Sequence, residues 1–461
     1  MALAVSLYVL ISVGIGLWAA RQVKNKQDFL VAGRRLPWLL SMSLLFSTWF
    51  GSETILGASQ TFSEKGLLAV IEDPFGSALC LFLAGVWLAK PFYRLPINTF
   101  GDFYALHFGR WAERIATPLM AFSYVGWIAA QLVALAEVLS HFSGVSRETA
   151  LVLSTVVILS YTLAGGMWSV AAIDLAQNVI LVGGLVVLLL YLPRGWFRTE
   201  GLSPDFLAFT PPPTPTAWLN YLAAWMVIGL GSLPQQDMYQ RVVASKSARI
   251  AQTAAISAAV LYLTIGLIPL AAGLYIRLYH PEWLEGAEAA PIIRLAATYL
   301  PPWAQFFFWG SLISAIMSSA SGGILAPASL LSENILARWE KFSGLWRARL
   351  STLAVGIICW LFARHNPNIY ELVAESSIFS LVTLFVPMVV GLHLPRWRSA
   401  AGAILSMIAG VGAYYLAKIS QTEIHPLWYG FAMSFVGYGV GHLIYLRYSL
   451  RQREPQSTSS V

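Results

Sequence analysis

Oxygen ligands at membrane depth are the chemistry this sequence offers. The run Ser47-Thr48-Trp49-Phe50-Gly51-Ser52-Glu53-Thr54 sets four hydroxyls, a glycine and a carboxylate inside an apolar stretch. A carboxylate facing lipid is costly there, and backbone unwinds inside a membrane only where it lines a cavity or is buried in protein. The run reads either as a helix broken around a binding site or as a serine-rich packing face with a snorkelling glutamate. A second interruption, Gly229-Leu230-Gly231-Ser232-Leu233-Pro234-Gln235-Gln236-Asp237, joins two glycines and a proline to two amides and a carboxylate. It reads as a second broken helix, or as a helix that ends at the membrane surface before Arg241. In Ser314-Ala315-Ile316-Met317-Ser318-Ser319-Ala320-Ser321, hydroxyls at 314, 318 and 321 share one helix face. Small faces pack helices together. Hydroxyls and freed carbonyls also supply the uncharged oxygen shell that a desolvated alkali cation needs, and the pairing with a broken second span favours that use. Asp174, after Gly165-Gly166, is an interfacial acid near a helix start or a ligand for a cation or proton. Glu72 and Asp73, before Pro74, are vestibule residues or a solvated helix start.

Other chemistries find no support. None of the seven histidines stands at metal-ligand spacing from another histidine, a cysteine or a carboxylate. There is no P-loop, Gly-x-Ser-x-Gly or His-Glu-x-x-His motif. We expect no enzyme, no catalytic residue and no cofactor. Cys80 and Cys359 both lie in apolar runs and read as small buried hydrophobes.

The elements that must position these groups follow from composition. Of 461 residues, 57% are hydrophobic and 11% charged, and mean hydropathy is +0.66. Soluble domains carry about 25% charged residues. This excludes a cytosolic enzyme, a disordered protein and a nucleic-acid-binding module. Apolar runs near 3–20, 37–59, 72–93, 115–141, 149–164, 170–193, 216–235, 250–276, 302–333, 350–364, 369–394, 399–417 and 426–446 predict about thirteen transmembrane helices in an all-α integral membrane protein. The first run lacks a basic start and a cleavage site, so it is expected to be a true span. The loops on one side hold twenty-one of the 29 Lys and Arg residues. The positive-inside rule then places the N-terminus outside and the C-terminus in the cytoplasm, with a polar tail over 447–461. The two interruptions lie five spans apart, the pattern expected of matching positions in two halves of a transporter.

Four motifs carry a resemblance. Asp28-Phe29-Leu30-Val31-Ala32-Gly33-Arg34-Arg35 before the broken span resembles the sodium:solute symporter family. So do Tyr161-Thr162-x-x-Gly165-Gly166-x-x-Ser169-Val170-x-x-x-Asp174-x-x-Gln177, Pro234-Gln235-Gln236-Asp237-x-Tyr239-Gln240-Arg241 and Ala315-x-Met317-Ser318-Ser319. The resemblance runs in order from about residue 8 to 446. It implies a leucine-transporter-like core of two inverted five-helix repeats, at 37–193 and 216–394, with one helix preceding (3–20) and two following (399–446). It implies a sodium site made by the carbonyls of Ser47, Phe50 and Ala315 and the hydroxyls of Ser318 and Ser319. Asp174 matches an acid that serves a second cation in some members. Gly51, Gly229, Gly231 and Pro234 fall at the helix breaks.

Within the family the chain is most similar to choline transporters, in Thr48-Trp49-x-Gly51, Ala89-Lys90-Pro91 and Gln240-Arg241-Val242. Trp49 and Trp127 fall where that subgroup has cage tryptophans. Ser77 and Gln235 replace two further aromatic cage residues. The expected solute site is Trp49, Glu53, Ser77, Trp127, Gln131 and Gln235. The implied function is sodium-driven import of a small organic solute across the cytoplasmic membrane by alternating access. Choline or another quaternary ammonium is the first candidate. An amino acid, a sugar or a carboxylate would suit a more hydrogen-bonding pocket. A transporter-fold sensor or channel is the competing class, against which the lack of a signalling domain weighs. The expected partners are the solute, sodium and lipid, with no nucleic acid, and the protein is expected to be a monomer.

Overall fold

Several of the helices start where the sequence supplies a side-chain cap. Ser146 accepts from Thr149 N, Thr214 from Ala217 N, Ser247 from Ile250 N and Ser399 from Gly402 N. The computed structural model describes residues 2–193, 195–198, 200–285, 290–337, 343–365 and 369–453. Among the described residues the regular structure is helical, apart from an isolated parallel bridge between Leu36 and Ser245.

In chain order the principal helices begin with α1 (Ala2–Ala19), then α2 (Trp38–Phe46) and α3 (Ala58–Lys65) on either side of a break. Next come α4 (Ser77–Leu83), within the apolar stretch Leu67–Arg94, α5 (Arg110–Ser143) and α6 (Arg147–Tyr191). The second interrupted segment is α7 (Pro215–Gly229) and α8 (Gln236–Ala244), followed by α9 (Ala248–Tyr279), α10 (Pro302–Leu330) and α11 (Gly344–His365). The series closes with α12 (Ile369–Ser380), α13 (Val386–His393), α14 (Ala400–Ile419) and α15 (Leu427–Arg453). Eight helical stretches are long and apolar enough to cross a membrane by themselves. Of the other expected spans, α1 is short, the two broken segments are interrupted, and α15 is a continuous helix of 27 residues outside those eight. At the C-terminus the structure extends the last helix: the tail expected from 447 is helical to Arg453, and 454–461 lie outside the described residues.

The runs expected as separate spans at 149–164 and 170–193 lie in α6, a helical stretch of 45 residues interrupted at Gly166. Drawn straight it would reach about 68 Å at 1.5 Å per residue, twice the hydrocarbon thickness of about 30 Å. It is not straight. Gly166 sits at φ 49° and ψ −132°. A Cβ on Gly16 of α1 would lie 2.6 Å from Tyr161 Cβ and 2.7 Å from Ile173 Cδ1. Those two residues would be about 18 Å apart along a straight helix. Both touch one glycine, so the chain folds back at Gly165-Gly166, and the two expected spans are arms of a hairpin.

α10 occupies the centre. Every residue from Phe308 to Leu330 is buried, hydroxyls included. A helix buried all round needs no amphipathic stripe, and its small faces let α5, α6 and α11 pack against it. The basic connections gather at one end of the bundle. There Lys26 pairs with Glu333 at 2.7 Å, Tyr93 OH donates to the Lys246 carbonyl, and Leu36 bridges Ser245. That bridge joins the start of the first broken segment to the end of the second, so the two run antiparallel.

Gly166→Ala is expected to destabilise the detergent-solubilised protein by about 1 kcal/mol or more, because a methyl would meet the Phe29 carbonyl and the φ is left-handed. Gly183→Ala, with nothing within 4 Å of the added carbon, is the control and is expected to be neutral or stabilising in the same thermal unfolding assay.

Candidate functional site

The site is built on a failure of the helical ladder. Over 47–52 the chain leaves α2 without yet entering the widened turn Glu53–Gly57 that leads to α3. In a continuous helix Gly51 N would bond the Ser47 carbonyl and Thr48 N the Leu44 carbonyl. Instead Gly51 N bonds Trp49 O at 2.8 Å and Thr48 N bonds Leu45 O at 3.2 Å. The Ser47 carbonyl thereby loses its helical donor. The Leu44 carbonyl takes a hydrogen bond from Arg241 Nη1 of α8. Arg241 is fully buried, and the absent side chain of Gly322 on α10 makes room for its guanidinium. Its charge also acts on Asp174 and Asp237.

α6 braces the same break. Asn178 donates to Ser43 Oγ at 2.7 Å and to the Ser43 carbonyl at 3.0 Å, and accepts from Ser47 Oγ at 2.9 Å. One turn earlier on α6, Asp174 is fully buried and accepts from Ser318 Oγ of α10 at 2.5 Å. Asp174 is thus an interior residue and not an interfacial helix start. Ser319 is also buried, its hydroxyl has no hydrogen-bond partner, and it lies 3.0 Å from where a Cβ on Gly51 would stand. Ser47, Ser318, Ser319 and Asp174 are therefore brought into one cluster, with Phe50 and Ala315 beside them in the chain. By giving its proton to Asp174, Ser318 keeps its oxygen lone pairs for another partner. α1 also reaches this region, where Tyr8 OH shares a hydrogen bond of 2.5 Å with Ser314.

On the other side of the break lies a cavity. Trp49, Trp127 and Ile228 give it apolar wall, and Glu53 and Asp73 place two carboxylates in it. Ser77, Gln235, Ser376 and Ser377 complete the lining. No Lys, Arg or His lines it among the described residues. Its free volume is about 20 Å³, enough for one water; a larger guest enters only if walls move.

Each wall is held from behind. Trp127 Nε1 donates to Glu53 Oε1 at 3.0 Å and Gln131 Nε2 to Glu53 Oε2 at 2.8 Å. Glu53 is thus fixed at the cavity and does not snorkel. Gln131 spends its other end on Ser52, whose hydroxyl donates to Gln131 Oε1 at 3.2 Å. Of the six expected solute residues, Gln131 alone is absent from the lining. Tyr262 OH of α9 donates to Asp73 Oδ1 at 2.8 Å and also contacts Thr54 Oγ1 at 2.9 Å. In the second break, Gln235 Nε2 donates to Ser380 Oγ at 3.1 Å, and Ser232 and Ser377 share a hydrogen bond of 3.1 Å. Gly231 lets that break press against the backbone of α12 at Ser377. Gly229 ends α7, and Pro234 lies in the connection to α8.

Ser376, Ser377 and Asn178 are positioned here without having been expected as site residues, and Arg241 stood only in a family motif and among the basic residues of the loops. Of the two readings of Asp73, a vestibule residue or a solvated helix start, the structure has it buried at the cavity. Its signal was an acid within an apolar stretch, three residues before a glycine. The serine pair 376–377 directly follows Glu375 in a largely apolar run.

The profile of the sodium:solute symporter family matches residues 29–410. High-affinity choline transporter 1 of Drosophila melanogaster is 26% identical, over 88% of this chain and 69% of its own length. The high affinity choline transporter 1 of Homo sapiens is also 26% identical, over 89% and 75%. The sodium/pantothenate symporter of Escherichia coli (strain K12) is 22% identical over 94% of both chains. Among solved structures, the substrate-bound outward-open state of a Na+-coupled sialic acid symporter matches with a TM-score of 0.79 at 19% identity, covering 96% of each chain. That likeness bears on the fold. The family match spans most of the sequence, and with it this chain belongs to the sodium:solute symporter family, as a multi-pass membrane transporter and not an enzyme.

Proposed function

We propose that this protein couples sodium moving down its gradient to the import of a small organic cation, the class to which choline belongs. The observation that carries the solute class is the cavity: two carboxylates and two tryptophans with no basic side chain among its lining residues. Tryptophan faces attract cations, and Glu53 and Asp73 oppose any anion. A carboxylate solute would meet like charge, and an amino acid would find no cationic partner for its carboxylate. The choline transporters among the relatives support the same class.

Sodium is held by the carbonyls of Ser47, Phe50 and Ala315 and the hydroxyls of Ser318 and Ser319. The displaced ladder at Gly51 supports this, because it frees the Ser47 carbonyl in the break against which the unpartnered Ser319 hydroxyl lies, at Gly51. Asp174, one hydrogen bond away, serves a second cation. Each sodium moved inward gains roughly 2.3 kcal/mol per 100 mV of membrane potential. The two sites share the 47–53 strand of broken backbone, so ion binding on one side orders the wall of the other. Solute entry requires the cavity to open, and the interrupted segments at 47–57 and 230–235 provide the backbone freedom for alternating access.

The interrupted segments also cross the membrane, giving thirteen spans in two inverted repeats, with the basic end of the bundle in the cytoplasm. Lys246→Cys is expected to react with a membrane-impermeant maleimide only after permeabilisation, and Glu200→Cys on intact cells. The buried Cys80 and Cys359 leave the background low. The opposite pattern reverses the orientation.

Ser318→Ala and Ser319→Ala are each expected to raise the sodium concentration for half-maximal uptake about tenfold, about 1.4 kcal/mol per lost ligand. Unchanged sodium dependence in both removes the site. Trp127→Ala is expected to weaken solute binding at least tenfold in a scintillation proximity assay, through lost cation–π attraction and the loss of the donor to Glu53.

A further inference from the structure

The two acids of the cavity differ in what they still need. Glu53 has one donor on each oxygen, from Trp127 and Gln131. Asp73 has Tyr262 on Oδ1, while its Oδ2 is buried and makes no hydrogen bond of ordinary geometry. The Ser77 hydroxyl, fully buried one helical turn further on and lining the same cavity, is in the same position. Arg241, the buried basic residue among those described, lies on the other side of the break with Asp174 and Asp237 and does not line this cavity. Beside Asp73 the donors supplied by the protein are the hydroxyls of Tyr262 and, less well aligned, Ser77, so the Oδ2 face of this carboxylate has room for a further, charged donor.

A quaternary ammonium is a poor match to such a wall. It has no N–H, so it would shut Asp73 Oδ2 away from water with no donor but the poorly aligned Ser77 hydroxyl. An unmade hydrogen bond at a buried polar group costs about 1–3 kcal/mol, more for a charged one. The aromatic compensation is also reduced, because Trp49 and Trp127 supply tryptophan faces while Ser77 and Gln235 line the remainder. A cation that carries N–H donors matches both features. It can bridge the Glu53 and Asp73 carboxylates with charge-assisted hydrogen bonds and still lie against the tryptophans.

We propose that the transported cation carries at least two N–H groups on its charged nitrogen, as a protonated primary or secondary amine held between Glu53 and Asp73, in preference to a quaternary ammonium. This rests on the organic-cation reading above and narrows it. Methylation makes an ammonium easier to dehydrate, so a preference for N–H arises only where the pocket supplies acceptors. A site built to hydrogen-bond a group rejects the analogue lacking it far more strongly than an apolar pocket does.

The test is a methylation series on the full-length protein in sodium: ethanolamine, N-methylethanolamine, N,N-dimethylethanolamine and choline. Binding is read from ligand-dependent thermal stabilisation, with betaine, proline and glucose as non-cationic or zwitterionic comparisons. The expected result is affinity falling along the series, with choline at least tenfold weaker than ethanolamine. Asp73→Asn is expected to weaken ethanolamine at least tenfold and to bring the ethanolamine-to-choline ratio toward one. Its response to sodium alone is the folding control. If that variant does not fold, the series on the native protein decides. Choline binding as tightly as ethanolamine, or tighter, overturns the N–H preference and leaves the organic-cation reading standing. No response to any member of the series, with a response to glucose or proline, overturns both.

Discussion

Backbone hydrogen bonding in a membrane admits no loose ends, and the break at 47–52 is where this molecule departs from that rule. Water is not there to take up a freed carbonyl or amide, so each must find a partner within the protein. The partners are specific. Arg241 meets the Leu44 carbonyl, Asn178 holds both Ser43 and Ser47, and Gln131 ties Ser52 to Glu53. These come from three other helices, α8, α6 and α5. The break is therefore an assembly point: it persists only because the surrounding helices are in place, and they are held together through it. The burial of α10 along its length and the hairpin of α6 at Gly166 both serve to bring polar side chains to this depth.

The same break divides the site into two electrostatic regions. On the α6–α10 side, Asp174 faces hydroxyls, with the Arg241 charge nearby. On the α5–α9 side, Glu53 and Asp73 share a cavity with no basic lining residue. A cation suits either region, for different reasons. The first offers buried hydroxyls and a freed carbonyl beside one carboxylate, a set suited to a small inorganic ion. The second offers flat aromatic faces and carboxylates suited to an organic one. The cavity as it stands admits about one water, so binding of the organic cation and movement of the walls are one event.

Much of this was legible in the sequence. Hydroxyls and a carboxylate inside an apolar run marked the break, because neither belongs on a lipid-facing helix, and the structure puts Ser47, Ser318, Ser319 and Asp174 together. Trp49, Glu53, Ser77, Trp127 and Gln235 do line one cavity. The two spans at 149–164 and 170–193 were legible too, and the structure sets them as two arms that turn at the left-handed Gly166. Other features were hidden for physical reasons. Asp73 stayed open between a vestibule residue and a solvated helix start, because an acid before a proline has the look of a helix start wherever it lies. Gln131 was assigned to the solute from its span, but which way an amide points is decided by its tertiary partners, here Glu53 and Ser52. Arg241 read as a cytoplasmic charge because an arginine near a helix end usually is one; the absent side chain of Gly322, 81 positions away, is what lets it turn inward.

The central claim is that ion and solute are bound on two faces of one broken backbone and so assist each other. Thermodynamic linkage makes this measurable, because the factor by which sodium tightens solute binding must equal the factor by which solute tightens sodium binding. The decisive measurement is the sodium affinity of the purified protein with and without a saturating organic cation, together with the cation's affinity with and without sodium, in the native protein and in Ser319→Ala. The account predicts equal factors well above one in the native protein, collapsing toward one in the variant. An organic cation that binds equally well in the absence of sodium would contradict it.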